Sequence, residues 1–326
     1  MRAIVVVVFT VIGLSDAGAQ DAGSAESKVD ARAIRLSFAP AESGPPIRYR
    51  LTESVTTTRG RNVANERTVW EYSVLTKPRR EGVRTQLDVR YESVSGAWSD
   101  GGSVVLSYES GKSLDESVGA AVRFIVSMNT QRIGRSVTVD VDESAYPVRV
   151  DGLFEILSEA LSKSLFRGGI DPKKRFTERL CMLDVRRMII PGPYGPRRVG
   201  ERWESGTREA IPPQGESDLK CRSKWSTVSA SVDRLTVESE FAVGRQDVGA
   251  TSIESVAGST RGVYLLCDGM ISEYEKKAEW RFAKPELLSI ASVATIVRVL
   301  PEARVVTPRE GGAGDARDGV GDEKPK

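Results

Sequence analysis

The chain of 326 residues contains no histidine. That absence excludes a Ser-His-Asp or Cys-His catalytic constellation and any His-ligated zinc or haem site. Cysteine is scarce, with only Cys181, Cys221 and Cys267, and none stands in a CxxC spacing. Three thiols form at most one disulfide and leave one sulfur over. A Cys181–Cys221 bridge would stabilise by about 4 kcal/mol on the chain-entropy argument. Cys267 then reads as a buried free thiol acting as a small apolar residue. The phosphate-binding and nucleophile-elbow patterns GxGxxG, GxxxxGK[ST] and GxSxG are missing. Asp140, Asp142 and Glu143 lack the DxDxDG order of a calcium loop. No metal or cofactor is expected.

A strong charge of either sign is also lacking. Lys and Arg total 47 against 45 Asp and Glu, a net charge of +2. The basic groups are the doublets at 79–80, 186–187 and 197–198 and the run Lys173-Lys174-Arg175, interspersed with acids. Nucleic-acid binding needs clustered positive charge that releases counterions, so that partner class is excluded.

Long apolar runs are limited to the N-terminus. Arg2 precedes an apolar stretch from Ala3 to Leu14, and Ala17-Gly18-Ala19 follows as a small-x-small cleavage site. This predicts a signal peptide over 1–19, with the mature chain starting at Gln20. The run falls short of the roughly 20 apolar residues that a spanning helix needs. No Cys follows the cleavage site to carry a lipid. The expected location is periplasmic or extracellular, with no transmembrane segment in the mature chain.

Residues 20–44 begin small and polar and read as a flexible arm. From there to residue 300 the pattern is mostly period two. Ile47, Tyr49, Leu51 and Val55 alternate with polar residues, as do Trp70, Tyr72 and Val74, and then Val83, Leu87, Val89 and Tyr91. Three such runs joined by turns predict an antiparallel meander with one wet face. Ser95–Gly102 reads as a loop. Ala120–Met128 fits a strand or a helical turn, and Val137–Val150 fits a strand pair. Asp151 is a good N-cap for a helix over 152–167, whose face carries Leu153, Phe154, Leu157, Leu161 and Leu165. Asp171-Pro172 starts a second helix that continues to about Ile190.

Pro191–Pro196 is a breaker cluster that no regular element is expected to cross. It divides a single β-rich domain, 45–300, into two loosely similar halves, 45–190 and 197–300. In the second half, Gly244–Ser259 reads as a loop. Asp268-Gly269 reads as a two-residue hairpin turn. Tyr274, Ala278, Trp280 and Phe282 share a face, and 289–300 reads as a covered strand. Residues 301–326 have the composition of a disordered tail. The expected class is α+β: a large, curved antiparallel sheet of two meanders, with two amphipathic helices on one face.

Three short patterns stand in order: Tyr108-Glu109-Ser110, Val150-Asp151-Gly152 and Pro196-Arg-Arg-Val199-Gly200-Glu-Arg-Trp203. Together they resemble an uncharacterised family of exported bacterial proteins of planctomycete type, known only as a domain of unknown function. Glu109 stands where the family pattern has Asp. The resemblance implies a large antiparallel sheet with helices on one face. It brings no activity and no site residues.

The function expected from these features is non-catalytic: binding or scaffolding in the cell envelope, with a lipid or an envelope protein as the partner class. The alternative is a periplasmic carrier of a lipid or other apolar ligand. Its pocket would lie between sheet and helices, lined by Trp70, Tyr72, Leu153, Leu157, Leu161, Trp280 and Phe282. An enzyme using carboxylates or Ser and Lys is a third class, and needs ionisable groups converging in a cleft.

Overall fold

The computed structural model describes residues 33–41, 44–77, 85–114, 120–163, 178–211, 218–248, 251–284 and 288–300. The expected signal peptide, residues 20–32, the turn at 78–82 with Val83, Leu165, the Asp171-Pro172 helix start and the tail lie outside the described residues.

The first half gives β1 (Ile34–Leu36), β2 (Ile47–Arg59), β3 (Asn62–Thr76), β4 (Thr85–Asp100) and β5 (Ser103–Glu109). It continues with α1 (Ala120–Thr130), β6 (Ser136–Val141), β7 (Pro147–Asp151), α2 (Leu153–Lys163) and α3 (Glu178–Arg186). The second half gives β8 (Gly195–Arg197), β9 (Arg202–Ala210), β10 (Asp218–Ala230), β11 (Arg234–Val243) and β12 (Gln246–Val248). It ends with β13 (Thr251–Leu265), β14 (Ile271–Lys284) and β15 (Leu288–Val299). The α+β class holds in its coarse form: a mostly antiparallel sheet with few helices.

Thirteen strands form one sheet: eleven along the path β7-β6-β4-β3-β2-β15-β14-β13-β11-β10-β9, with β5 added on β4 and β12 on β13. The two meanders meet where β2 pairs β15, from Arg48↔Val299 to Arg59↔Leu288. The sheet is open and uncurled, against the curved sheet expected, because its ends β7 and β9 each pair on one side only.

Side chains directly opposite each other in a ladder share a face. One row therefore runs Val94, Trp70, Leu51, Ile296, Tyr274. This face is the covered one: α1 packs on β4, α3 on β7 and α2 against both helices, and α2 brings Leu153, Leu157 and Leu161 into the same cluster as Trp70 and Tyr72. The other face is wet. Its ion pairs, such as Arg50–Glu71 and Arg281–Glu279, are solvent-exposed, and each is worth less than about 1 kcal/mol.

The covered face is not uniformly apolar. A transverse row runs Thr68, Glu53, Ala294, Lys276, Thr260, Ser239. Glu53 is 6% exposed and Lys276 2%. On one side lies the cluster of Leu51, Trp70 and Ile296. On the other lies a second cluster with Val55, Phe241, Trp280 and Phe282.

Two expected loops are strand, and the cause is the same in both. Gly96 lies within β4, opposite Tyr108, and a Cβ there would stand 2.3 Å from the Tyr108 ring. Gly258 lies within β13, opposite Phe241, and a Cβ would stand 2.4 Å from that ring. Each glycine is the seat of a cross-strand aromatic and not a breaker.

The arm and the breaker cluster also depart from expectation. β1 pairs β8, with Arg35 opposite Pro196, so a short strand does begin inside the proline cluster. Proline is tolerated in such a two-stranded edge. Ala39 N–H donates to the Asp268 carbonyl, which straps the described part of the arm across the β13–β14 connection. That connection runs over residues 266–270 and is wider than the two-residue turn expected, with Gly269 N–H closing on the Leu265 carbonyl. Gly269 has φ +69°, and its missing Cβ makes room for the Ser37 carbonyl.

The cysteines overturn the expected bridge. All three are free. Cys181, on α3, belongs to the first cluster and Cys221, on β10, to the second, so the two thiols serve separate cores. Cys267, expected buried, is exposed in the β13–β14 connection. Burial pushes the Cys181 thiol up to about 12, which keeps it unreactive. Thiol titration is expected to count one sulfur in the native protein, Cys267, and three after unfolding without reductant. A count of one after unfolding would restore the bridge.

Candidate functional site

The pocket lining expected from the sequence divides in two. Trp70, Tyr72, Leu153, Leu157 and Leu161 pack together in the first cluster, while Trp280 and Phe282 stack on each other in the second. Leu153, Leu157 and Leu161 are buried against neighbours in the core. Tyr72 lies under the helical layer and donates its hydroxyl to the Met188 carbonyl at 2.8 Å.

Beside this packing lies a lattice of charge. Arg187, just past α3, donates to Glu53 of β2 at 2.7 Å and pairs Asp184 of α3 at 2.7 Å. Arg132, just past α1, takes the other Asp184 oxygen at 2.7 Å, and Tyr91 of β4 donates to that same oxygen at 3.2 Å. Both guanidinium groups lie against the Trp70 ring, at 5.4 Å for Arg132 and 5.5 Å for Arg187. The lattice thus ties the ends of α1 and α3 to the middle of the sheet.

The electrostatics follow from burial and pairing. Desolvation acts to raise Asp184, but Arg132 and Arg187 outweigh it and hold the carboxyl below its usual range. Glu53 is raised, because desolvation and the Asp184 charge exceed what Arg187 returns. Its Oε1 has no hydrogen-bond partner. Desolvation likewise raises the Tyr91 hydroxyl, with the Asp184 charge adding to it, so Tyr91 stays a donor.

A cleft opens next to the lattice. It is lined by Glu66 and Thr68 of β3, Trp98 of β4, Leu106 and Tyr108 of β5, and Ile125 and Val126 of α1, with Ala97 and Arg67 completing it. It is shallow, with about 10 Å³ of enclosed room, about that of one water. Tyr108 is fixed by Gly96 behind its ring and by Asn129 Nδ2, which donates to its hydroxyl at 2.9 Å. Glu66 stands between Trp98 and Val55 in the ladder. Burial, then the Glu53 charge, push the Glu66 carboxyl up to about 7 against the pull of Arg187. Among the described residues no ion pair or side-chain hydrogen bond engages Glu66.

Of the patterns singled out in the sequence, one reaches this cleft, through Tyr108. Ser110 accepts from the Val94 N–H and shapes the strand end. Gly152, at φ +92°, makes the corner into α2. Arg197 lies 4.2 Å over the Trp203 ring and pairs Glu201, so the Pro196–Trp203 pattern packs a turn. Glu53, Glu66, Asp184, Arg132 and Arg187 were not found by sequence reasoning. Glu53 and Glu66 did leave a signal, since both occupy the apolar phase of their strands.

No family model matches the chain, and no curated protein matches it. Solved structures similar to it include a lipovitellin described for its lipid–protein interactions, at 9% identity and TM-score 0.48, covering 81% of this chain and 25% of that one. Another is DynF from the dynemicin biosynthesis pathway of Micromonospora chersina, at 8% identity and TM-score 0.20, covering 86% of this chain and 94% of that one. The chain spans a quarter of the lipovitellin chain. At these scores neither likeness carries an argument. No described helix is long and apolar enough to cross a membrane.

Proposed function

We propose that the protein is exported and acts in the cell envelope by binding or scaffolding, without catalysis. The observation that carries this reading is that each charged group of the buried lattice has a counter-ion. Two acids and two bases converge in the core, and Arg187 spans Glu53 and Asp184 while Arg132 takes the rest of Asp184. Groups matched in this way hold elements together and are not poised for proton transfer to a substrate. The cleft beside them presents a single carboxyl, Glu66, against aromatic and aliphatic walls. Export rests on the N-terminal apolar run and its cleavage site.

The carrier reading asks for a cavity of several hundred Å³ under α2. Leu153, Leu157 and Leu161 fill the described part of that interface. Native mass spectrometry of the purified mature protein, with lipid extraction, separates the two readings. The expected result is the mass of the bare chain from Gln20. Stoichiometric co-purified lipid would overturn the binding reading in favour of the carrier.

A further inference from the structure

We infer that the corner of the sheet formed by the 198–201 turn and the β10–β11 turn docks on an anionic lipid bilayer surface. Val199, Val228 and Val232 enter the headgroup layer, and Arg198 and Arg202 pair with lipid phosphates. The inference rests on the envelope reading above and names the partner and the surface that meets it.

The corner lies at an end of the sheet, where β9 pairs β10 alone. Val199 is 51% exposed, Val228 46% and Val232 100%. Single exposed valines are ordinary on a protein surface. Here the backbone gathers them, and a gathered apolar patch marks a contact surface. Gly200 N–H donates to the Thr227 carbonyl at 2.8 Å, and Thr227 N–H donates to the Glu201 carbonyl at 2.9 Å, so Val199 is held beside Val228. Val232 stands on the next turn, which is braced. Ser231 N–H donates to the Arg234 carbonyl at 2.9 Å, the Ser231 hydroxyl donates to Asp233 at 2.7 Å, and the Asp233 carbonyl accepts from Leu266 N–H at 2.8 Å. A fixed turn presents this valine to the outside at little further cost in chain entropy.

The charges choose the partner. Three acids of the corner are engaged: Glu201 by Arg197 at 2.9 Å, Asp233 by Arg234 at 3.5 Å and Glu238 by Arg261 at 3.5 Å. Glu204 faces Lys224 across the ladder. Arg198 and Arg202 are exposed, and no ion pair engages either among the described residues. The Pro196–Trp203 pattern thus has two sides. Arg197 packs on Trp203, while Arg198, Val199 and Arg202 are left to the outside. Guanidinium groups in surplus beside aliphatic tips match an anionic bilayer, which offers phosphates to the first and an interfacial layer to the second. A soluble polyanion would use the arginines and leave the valines in water.

The test is co-sedimentation of the full mature chain with vesicles of equal parts phosphatidylglycerol and phosphatidylcholine, against vesicles of phosphatidylcholine alone. Saturable binding to the anionic vesicles, weakened by high salt, is expected. Arg198→Gln with Arg202→Gln should weaken it about twenty-five-fold, about five-fold for each charge removed. Val228→Ser with Val232→Ser should weaken it at least about ten-fold at unchanged net charge. Val232→Trp should bind more tightly, a gain that a folding defect does not produce. Arg281→Gln, on the wet face of β14, should bind as the native chain does. Loss in the arginine variant with full binding by the valine variant would overturn the bilayer in favour of a soluble polyanion. Equal binding to both vesicle types would overturn the role of the arginines. Equal binding by the native chain and both double variants would overturn this corner as the contact. No binding to either vesicle would overturn the bilayer as the partner. A chain that docks on a bilayer face purifies bare, so the envelope reading stands or falls separately, on the native mass.

Discussion

Arg187→Met is expected to lower stability by about 3–5 kcal/mol in urea denaturation at neutral pH. Methionine replaces the volume of the side chain but leaves Glu53 buried with no counter-ion. Asp184 keeps Arg132 and the Tyr91 hydroxyl, so the loss falls mainly on Glu53. A domain has only about 5–15 kcal/mol to lose, so the variant should be marginal at physiological temperature. Adding Glu53→Gln should recover a large part of the loss, because the uncompensated charge is gone. A single-variant loss below about 1 kcal/mol would show that the lattice is solvated and contributes as surface pairs do. A double variant no better than the single would place the cost in lost packing on Trp70 instead.

Glu66 gives the second large effect, and its direction is opposite. In the folded protein its carboxyl titrates at about 7, above the ordinary value of 4.5. Between those two values the folded state holds a proton that the unfolded chain has released. Its contribution to stability is therefore largest below the ordinary value and is lost as pH rises through about 7. Glu66 is half-buried, so the full shift is discounted to about 2 kcal/mol lost on going from pH 5 to pH 8. Glu66→Gln should remove that slope and be more stable than the native chain at pH 8 by a similar amount. Paired urea curves at the two pH values measure both quantities. An unchanged slope in the variant would mean that another group carries the dependence.

The regular part of this fold was legible because the strands obey period two. The alternation of Ile47, Tyr49 and Leu51 and of Tyr274, Ala278 and Trp280 assigned the covered face correctly. The failures came where one residue served two purposes. Gly96 and Gly258 look like breakers along the chain. Across the ladder each receives a ring, from Tyr108 and Phe241, and no local pattern carries that information. The Asp268-Gly269 turn was found but not its width, because the Ser37 carbonyl that occupies the space at Gly269 comes from the arm far upstream.

The site was less legible than the fold, for a related reason. Glu53 and Lys276 sit in phase with Leu51, Val55, Tyr274 and Ala278 and interrupt an otherwise apolar stripe. A charge in the buried phase of an otherwise clean strand was the available warning. What the warning could not supply is the partner. Asp184 and Arg187 reach the lattice from a helix end whose position depends on the whole helical layer. The aromatic stripes misled in the other direction. Trp70 and Trp280 are in the same phase of the same sheet, but the polar row through Glu53 and Lys276 puts them in different cores.

The junction of β2 with β15 has a consequence for how the molecule is made. Synthesis from the N-terminus delivers Ile47–Arg59 long before Leu288–Val299 exists. Throughout that interval the 13-residue β2 has a partner on the β3 side only. Its other margin offers unpaired amides and carbonyls beside alternating apolar side chains, a surface that recruits stray strands. Loss of the last strand would also cost more than one strand's pairing. A truncation before Leu288 turns the middle of the sheet into two raw margins, β2 and β14, and parts the two meanders at the one ladder that joins them within the described thirteen-stranded sheet.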